Sequence, residues 1–251
     1  MHLLPLLFCA YALALQEPAA PDRTGEPELR RILEAHGKLR NVQIVIGKSA
    51  RERSDQVMQP DKTLTLWYAG PNRFRMAASS YWGDAALYVS DGKTLYSDPL
   101  DDSQPAILRN TTVTPIPMVH NDLSLRGGNG SMLFYLLEGA GAFDKIVDSG
   151  GNITLKESAV ERQVTFKSKD FGTVSIFVDK AKRLAHRIEY DNLPGKLAAY
   201  LRFPMWMEKP EDPLDREEIT ITPMRSFPRD TFSVKPPKWR PVTDQRKKPP
   251  A

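Results

Sequence analysis

Two hydrophobic periods divide the chain. Over residues 26–42, Leu29, Ile32, Leu33, His36 and Leu39 recur at intervals of three and four, and Glu28, Arg30, Arg31 and Lys38 fall elsewhere. That spacing predicts an amphipathic helix with one apolar stripe. Beyond it the period drops to two. Val42, Ile44 and Ile46, then Leu64 and Leu66, then Phe74 and Met76 alternate with polar residues, and turn signals such as Gly70-Pro71-Asn72 and Asp91-Gly92 punctuate the runs. These are antiparallel strands with one wet face, which puts Arg73 and Arg75 on the side opposite Phe74. Asp91-Gly92, between runs 86–90 and 93–97, reads as a two-residue hairpin turn.

The alternation then breaks. Residues 112–118 are interrupted by proline, residues 126–130 are rich in glycine, and residues 131–137 (Ser-Met-Leu-Phe-Tyr-Leu-Leu) are apolar all round and followed by Gly139. A short buried helix is expected there, with Ser131 as its N-cap. Strands resume over residues 153–156, 160–167, 173–178, 184–190, 197–203, 217–223 and 231–234, for about eleven in all. The fold class is therefore mainly β (α+β): a single large antiparallel sheet with helices packed on one face. No linker divides it.

Export is expected from the first twenty residues. Residues 3–15 carry no charge, a stretch too short to span a bilayer but suited to a signal-peptide hydrophobic region, and Ala12-Leu13-Ala14 offers a small-x-small cleavage pattern. The expected divisions are a removed signal peptide at 1–20, one domain at 21–240 and a basic, proline-rich tail at 241–251. Cys9 falls in the leader with Phe8 before it, which argues against a lipid-anchored outer-membrane form. The remaining chain has no cysteine, hence no disulfide and no thiol chemistry.

The net charge of +4 is local. From residue 235 onward six cations face one anion, so the body before it is close to neutral, which reads as a solvated tail and not as a nucleic-acid surface. Nucleophile elbows, dinucleotide and phosphate loops and His-Glu-x-x-His are absent. His120 with Asp122 could form a base-and-orienter pair, but no nucleophile accompanies it. His36 on an apolar stripe reads as a packing residue. The acidic run Glu211, Asp212, Asp215, Glu217 and Glu218 reads as a solvated loop, and Asn110, Asn129 and Asn152 begin glycosylation sequons by pattern alone. No enzyme, no metal and no cofactor are expected. What remains is an apolar sheet face carrying Leu64, Leu66, Phe74, Met76, Leu87, Val89, Leu95, Ile176, Ile188 and Phe232. Either the helices fill it, or part of it stays open to a hydrophobic ligand.

Leu66-Trp67, Pro71-Asn72-Arg73-Phe74 and the run 87–96 (Leu-Tyr-Val-Ser-Asp-Gly-Lys-Thr-Leu-Tyr), ending in Asp98-Pro99, resemble the outer-membrane lipoprotein carrier superfamily (LolA/LolB-like). Residues 232–237 (Phe-Ser-Val-Lys-Pro-Pro) and 242–246 are similar to that family's closing strand, and the short apolar helix falls in the same order. The resemblance implies a strongly curved, half-open barrel of about eleven strands, with an N-terminal helix and short lid helices on the concave face. Acyl chains would be held between them, with Leu64, Leu66, Trp67, Phe74, Met76, Leu87, Val89 and Leu95 as walls. Ile176 and Ile188 would continue the wall, under a lid of Met132, Leu133 and Leu136. Gly70 stands where the family's carriers have an Arg that holds the lid by hydrogen bonds, a departure that bears on the lid cycle.

Two readings follow. One is a periplasmic, non-catalytic carrier or chaperone in lipoprotein transport to the outer membrane, binding lipid or lipoprotein acyl chains as a monomer. The other is an envelope sensor or scaffold on the same fold, similar to the family's envelope-stress regulators, that binds a protein partner. Peripheral contact with membrane proteins is compatible with both; nucleic acid is not an expected partner.

Overall fold

A computed structural model describes residues 20–51, 62–80, 86–99, 104–110, 131–191 and 214–246. The apolar stripe forms α1 (Glu26–Gly37), with proline in its first turn, where a missing N–H is harmless. Arg30 and Lys38 pair with Glu26 and Glu34 one turn back, at 2.7 and 2.5 Å. Leu29, Ile32, Leu33 and His36 are buried. The helix ends at Gly37 and not, as the spacing suggested, at Val42. Asn41 takes a left-handed φ of 51°, which turns the chain so that Val42 opens the first strand.

The first meander comprises β1 (Val42–Arg51), β2 (Lys62–Gly70), β3 (Arg73–Ser80), β4 (Ala86–Asp91), β5 (Thr94–Asp98) and β6 (Ala106–Asn110). A helical layer follows: α2 (Met132–Glu138), a 3-10 turn (Gly139–Ala142) and α3 (Phe143–Ile146). The second meander is β7 (Ile153–Glu157), β8 (Glu161–Ser168), β9 (Gly172–Asp179), β10 (Ala185–Asp191) and β11 (Leu214–Pro223). A last strand, β12 (Val242–Asp244), completes one twelve-stranded sheet in the order β12-β6-β5-β4-β3-β2-β1-β11-β10-β9-β8-β7. The sheet is curved and does not close. Its two meanders join along the ten-residue seam from Val42 opposite Pro223 to Arg51 opposite Leu214.

The sheet has twelve strands where about eleven were expected, and one of them, β12, runs parallel to its neighbour β6. Two expectations need correction. Residues 231–234 form no strand: Thr231 and Ser233 donate to the carbonyls of Pro228 and Asp230 in consecutive turns. The closing strand instead lies at Val242–Asp244, inside the run 242–246 that resembles the family's closing strand, beyond prolines that cannot donate to a ladder. The hairpin at Asp91 is longer than two residues, because its innermost pair is Ser90 with Leu95. The Asp91 carboxylate accepts the N–H groups of Lys93 and Thr94, both at 2.8 Å, and Gly92 takes the positive φ of 98° that this closure requires. The strand expected over 197–203 lies outside the described residues.

Alternation places the inner face. Ile44, Leu66 and Met76 stand side by side across β1, β2 and β3, and Ile176 and Ile188 do the same across β9 and β10. They form one core with α1, α2 and α3. A second, smaller core lies on the outer face, where Val89, Tyr96, Ala106 and Leu108 are covered with the help of Leu87, Val234 and Val242.

Candidate functional site

The candidate site is the apolar interior between the inner sheet face and the helices. Leu64, Leu66, Phe74, Met76, Leu95, Ile176 and Ile188 all belong to it, and so do Met132, Leu133 and Leu136 of α2. None of these ten exceeds 6% exposure. Side chains bordering an open hydrocarbon-sized hollow would keep surface within reach of water, so at these positions the interior is packed.

Three expected wall residues face the other way. Trp67 is half-buried on the outer face, with the guanidinium of Arg75 5.9 Å from its ring. Val89 belongs to the second core and Leu87 packs against it. On β4 the inward phase is taken by Tyr88 and Ser90. Phe232 likewise stands apart from the main core, under Arg73 at 4.9 Å. The two arginines therefore lie on the outer face, as alternation with Phe74 requires.

Helix α2 is attached to the sheet by a buried polar group. The Ser131 hydroxyl accepts from the Leu133 N–H as N-cap and donates to Glu217 Oε2 at 2.6 Å. The Tyr190 hydroxyl donates to the same oxygen at 3.0 Å and accepts from the Met132 N–H at 2.9 Å. Burial, and then the neighbouring Glu217 carboxylate, hold the Tyr190 phenol well above its ordinary range, so it serves as a donor. An aromatic row continues the attachment: Tyr135 of α2 meets Phe171 edge-on at 6.0 Å, and Phe171 lies 5.6 Å from Tyr190. Sequence reasoning missed this group, since Glu217 was read in a solvated loop and is 1% exposed on β11. The signal was available: Glu217 shares its phase with Ile219 and Ile221.

Helices α1 and α2 touch at glycines. A Cβ on Gly37 would lie 2.6 Å from the Gly139 Cα, and Gly139 takes a φ of 79° at the end of α2. No side chain fits between the backbones. His36, fully buried, ties α1 to the sheet: the Ala185 N–H donates to Nε2 at 3.2 Å, so Nδ1 carries the proton and donates to the Ile32 carbonyl at 2.8 Å. Burial lowers its pKa to about 4. It is a neutral packing residue, as its place on the stripe suggested. Beside Gly70 runs the Arg40 side chain, whose guanidinium donates to the carbonyls of Gly37 and Leu39 at the end of α1. Nearby, the Tyr68 hydroxyl is buried without a hydrogen-bond partner among the described residues, and burial pushes its pKa up to about 12.

His120, Asp122 and the glycine-rich stretch before Ser131 lie outside the described residues. Among the described residues no three His, Cys, Asp or Glu side chains are grouped to hold a metal, and no helix is long and apolar enough to cross a membrane.

The site and fold define a sheet-and-helix sandwich with an apolar interior and a short, separately attached helix over it. No family model matches the chain, and no curated protein does. Among solved structures the chain is similar to the LolA superfamily protein NE2245 from Nitrosomonas europaea, at 11% identity and a TM-score of 0.32, over 84% of this chain and 97% of that one. It is also similar to LprF from Mycobacterium bovis (10%, TM-score 0.36, 81% and 93%) and to MucB (11%, TM-score 0.35, 83% and 62%). The chain thus spans less than two thirds of the MucB chain.

Proposed function

We propose that this chain is a non-catalytic binding protein of the periplasm that takes acyl chains of a lipid or lipoprotein against its inner sheet face when α2 moves aside. The observation that carries this reading is a continuous apolar face roofed by a seven-residue apolar helix whose polar attachments to the sheet gather at its N-terminus. Displacing α2 would open the core that it shares with Leu66, Phe74, Met76, Ile176 and Ile188, a surface for hydrocarbon. Each methylene taken from water contributes about 0.8 kcal/mol, so ten contribute about 8 kcal/mol before ordering costs and the exposure of α2 are set against them. No reacting group is required for such a role.

Delipidated protein should take up a fluorescent fatty acyl probe, and Phe74→Glu should abolish uptake; unchanged affinity in that variant rejects the assignment. Native mass spectrometry of protein purified from its own envelope reads the same point without a variant, through a co-purifying lipid mass.

The second reading is a sensor or scaffold that binds an envelope protein. The closed packing of the interior favours it, since Met76, Met132, Leu133 and Leu136 are each wholly buried. Co-purification of a protein partner, with no uptake of the probe, would select it over the first.

A further inference from the structure

The chain leaves β11 at Pro223 and passes over the outer face of β4–β6 before ending in β12. Near its end residues 237–240 make a tight turn, closed by the Arg240 N–H on the Pro237 carbonyl at 3.0 Å. The turn is fixed from behind. Arg240, 5% exposed, grips Asp98 with Nη2 at 2.7 Å and Nε at 3.0 Å from Oδ1, and Nη2 also donates to the Gln104 carbonyl. The Pro241 carbonyl accepts the Ala106 N–H at 3.0 Å. On this rigid mount Trp239 points away from the protein, 72% exposed.

An indole held out in water by a built turn is an unusual expense of apolar surface, and its neighbours say what it suits. Lys235 and Lys238 are exposed and form no ion pair among the described residues, whereas Arg240 and Arg246 are neutralised by Asp98 and Asp244. The sequence adds Lys247 and Lys248 just beyond. We propose that this turn docks the protein on an anionic lipid surface, with the indole at headgroup depth and the lysines on phosphates. A folded protein partner fits less well. Trp239 and Val160 are the exposed large hydrophobic residues among those described, too few for the apolar centre of a stable protein interface. A fluid lipid surface accepts a single protruding ring without a matching pocket.

The test uses the full exported chain with vesicles of phosphatidylcholine, with and without phosphatidylglycerol. Binding is expected to the anionic vesicles alone, to weaken with salt, to fall about tenfold in Trp239→Ser and to fall by a similar factor in Lys235→Gln/Lys238→Gln. All these side chains are exposed, so the fold is retained, and circular dichroism verifies it. Absence of binding by the unaltered chain, or binding that neither variant changes, overturns the proposal. So does equal, Trp239-dependent binding to soluble polyglutamate, which would mean an acidic protein partner. Uptake of the acyl probe should be the same in Trp239→Ser as in the unaltered chain, so failure of docking and failure of the interior site are separate results.

Discussion

Ser131 and Glu217, 86 residues apart, share a buried hydrogen bond of 2.6 Å that seats the N-terminus of α2 on β11. Removing the carboxylate strands two hydroxyls. Glu217→Ala should therefore cost about 2–4 kcal/mol in denaturant unfolding, while Glu217→Gln, which keeps an acceptor, should cost about 1 kcal/mol. Ser131→Ala removes both the cap and the donor. It should lower stability by about 1–2 kcal/mol and speed entry of an acyl probe measured by stopped flow.

At the other end of α2, the Gly37–Gly139 contact leaves no room for a methyl group. Gly37→Ala would ordinarily favour a helix. Here it should destabilise the protein by about 1–3 kcal/mol, read as a lower Tm, because the two helices must separate to accept it.

His36 makes stability depend on pH. Its folded pKa of about 4 lies below the ordinary 6.5, so the unfolded chain binds the proton more tightly in between. The contribution is complete above pH 6.5 and is lost as pH falls toward 4. Between pH 7 and 5 the protein should lose about 2 kcal/mol on this account. Urea unfolding of His36→Gln at both pH values should return a correspondingly flatter dependence.

Tyr68 offers the opposite sign. Its hydroxyl is buried with no partner among the described residues, so Tyr68→Phe should leave the unfolding free energy unchanged or raise it by up to about 1 kcal/mol.

Arg240 and Asp98 are both nearly inaccessible, at 2% and 3% side-chain exposure, and Asp98 also accepts from the Tyr96 hydroxyl at 2.6 Å. Arg240→Ala should cost about 3–5 kcal/mol by leaving that buried carboxylate without its cation. Proteolysis should then cut near Trp239 well before global unfolding.

Local pattern carried much of this architecture. The stripe from Leu29 to His36 and the alternation at Ile44, Leu66 and Met76 depend on neighbours within a few residues, and each appears where its period placed it. Leu87 and Val89 were misplaced because β4 is buried on both faces. Alternation cannot choose between Leu-Val and Tyr-Ser when the C-terminal segment covers the outer side. That segment was legible only through the likeness of residues 242–246 to a closing strand, because its prolines mask the period of a strand that is completed by its partner β6. The polar seat of α2 joins Ser131, Tyr190 and Glu217 across the middle of the chain, and its local traces were the capping Ser131 and a glutamate in the phase of Ile219 and Ile221.

The first and last described segments are fastened at opposite rims of the sheet. Asp22 and Gly25 bond to Ile153 on β7, and Val242–Asp244 bond to β6. A force pulling those segments apart would load the seams between neighbouring strands in series, like the teeth of a zip. The brief attachments at Ile153 and β12 should tear first, and the ten-residue seam of β1 with β11 should hold longest.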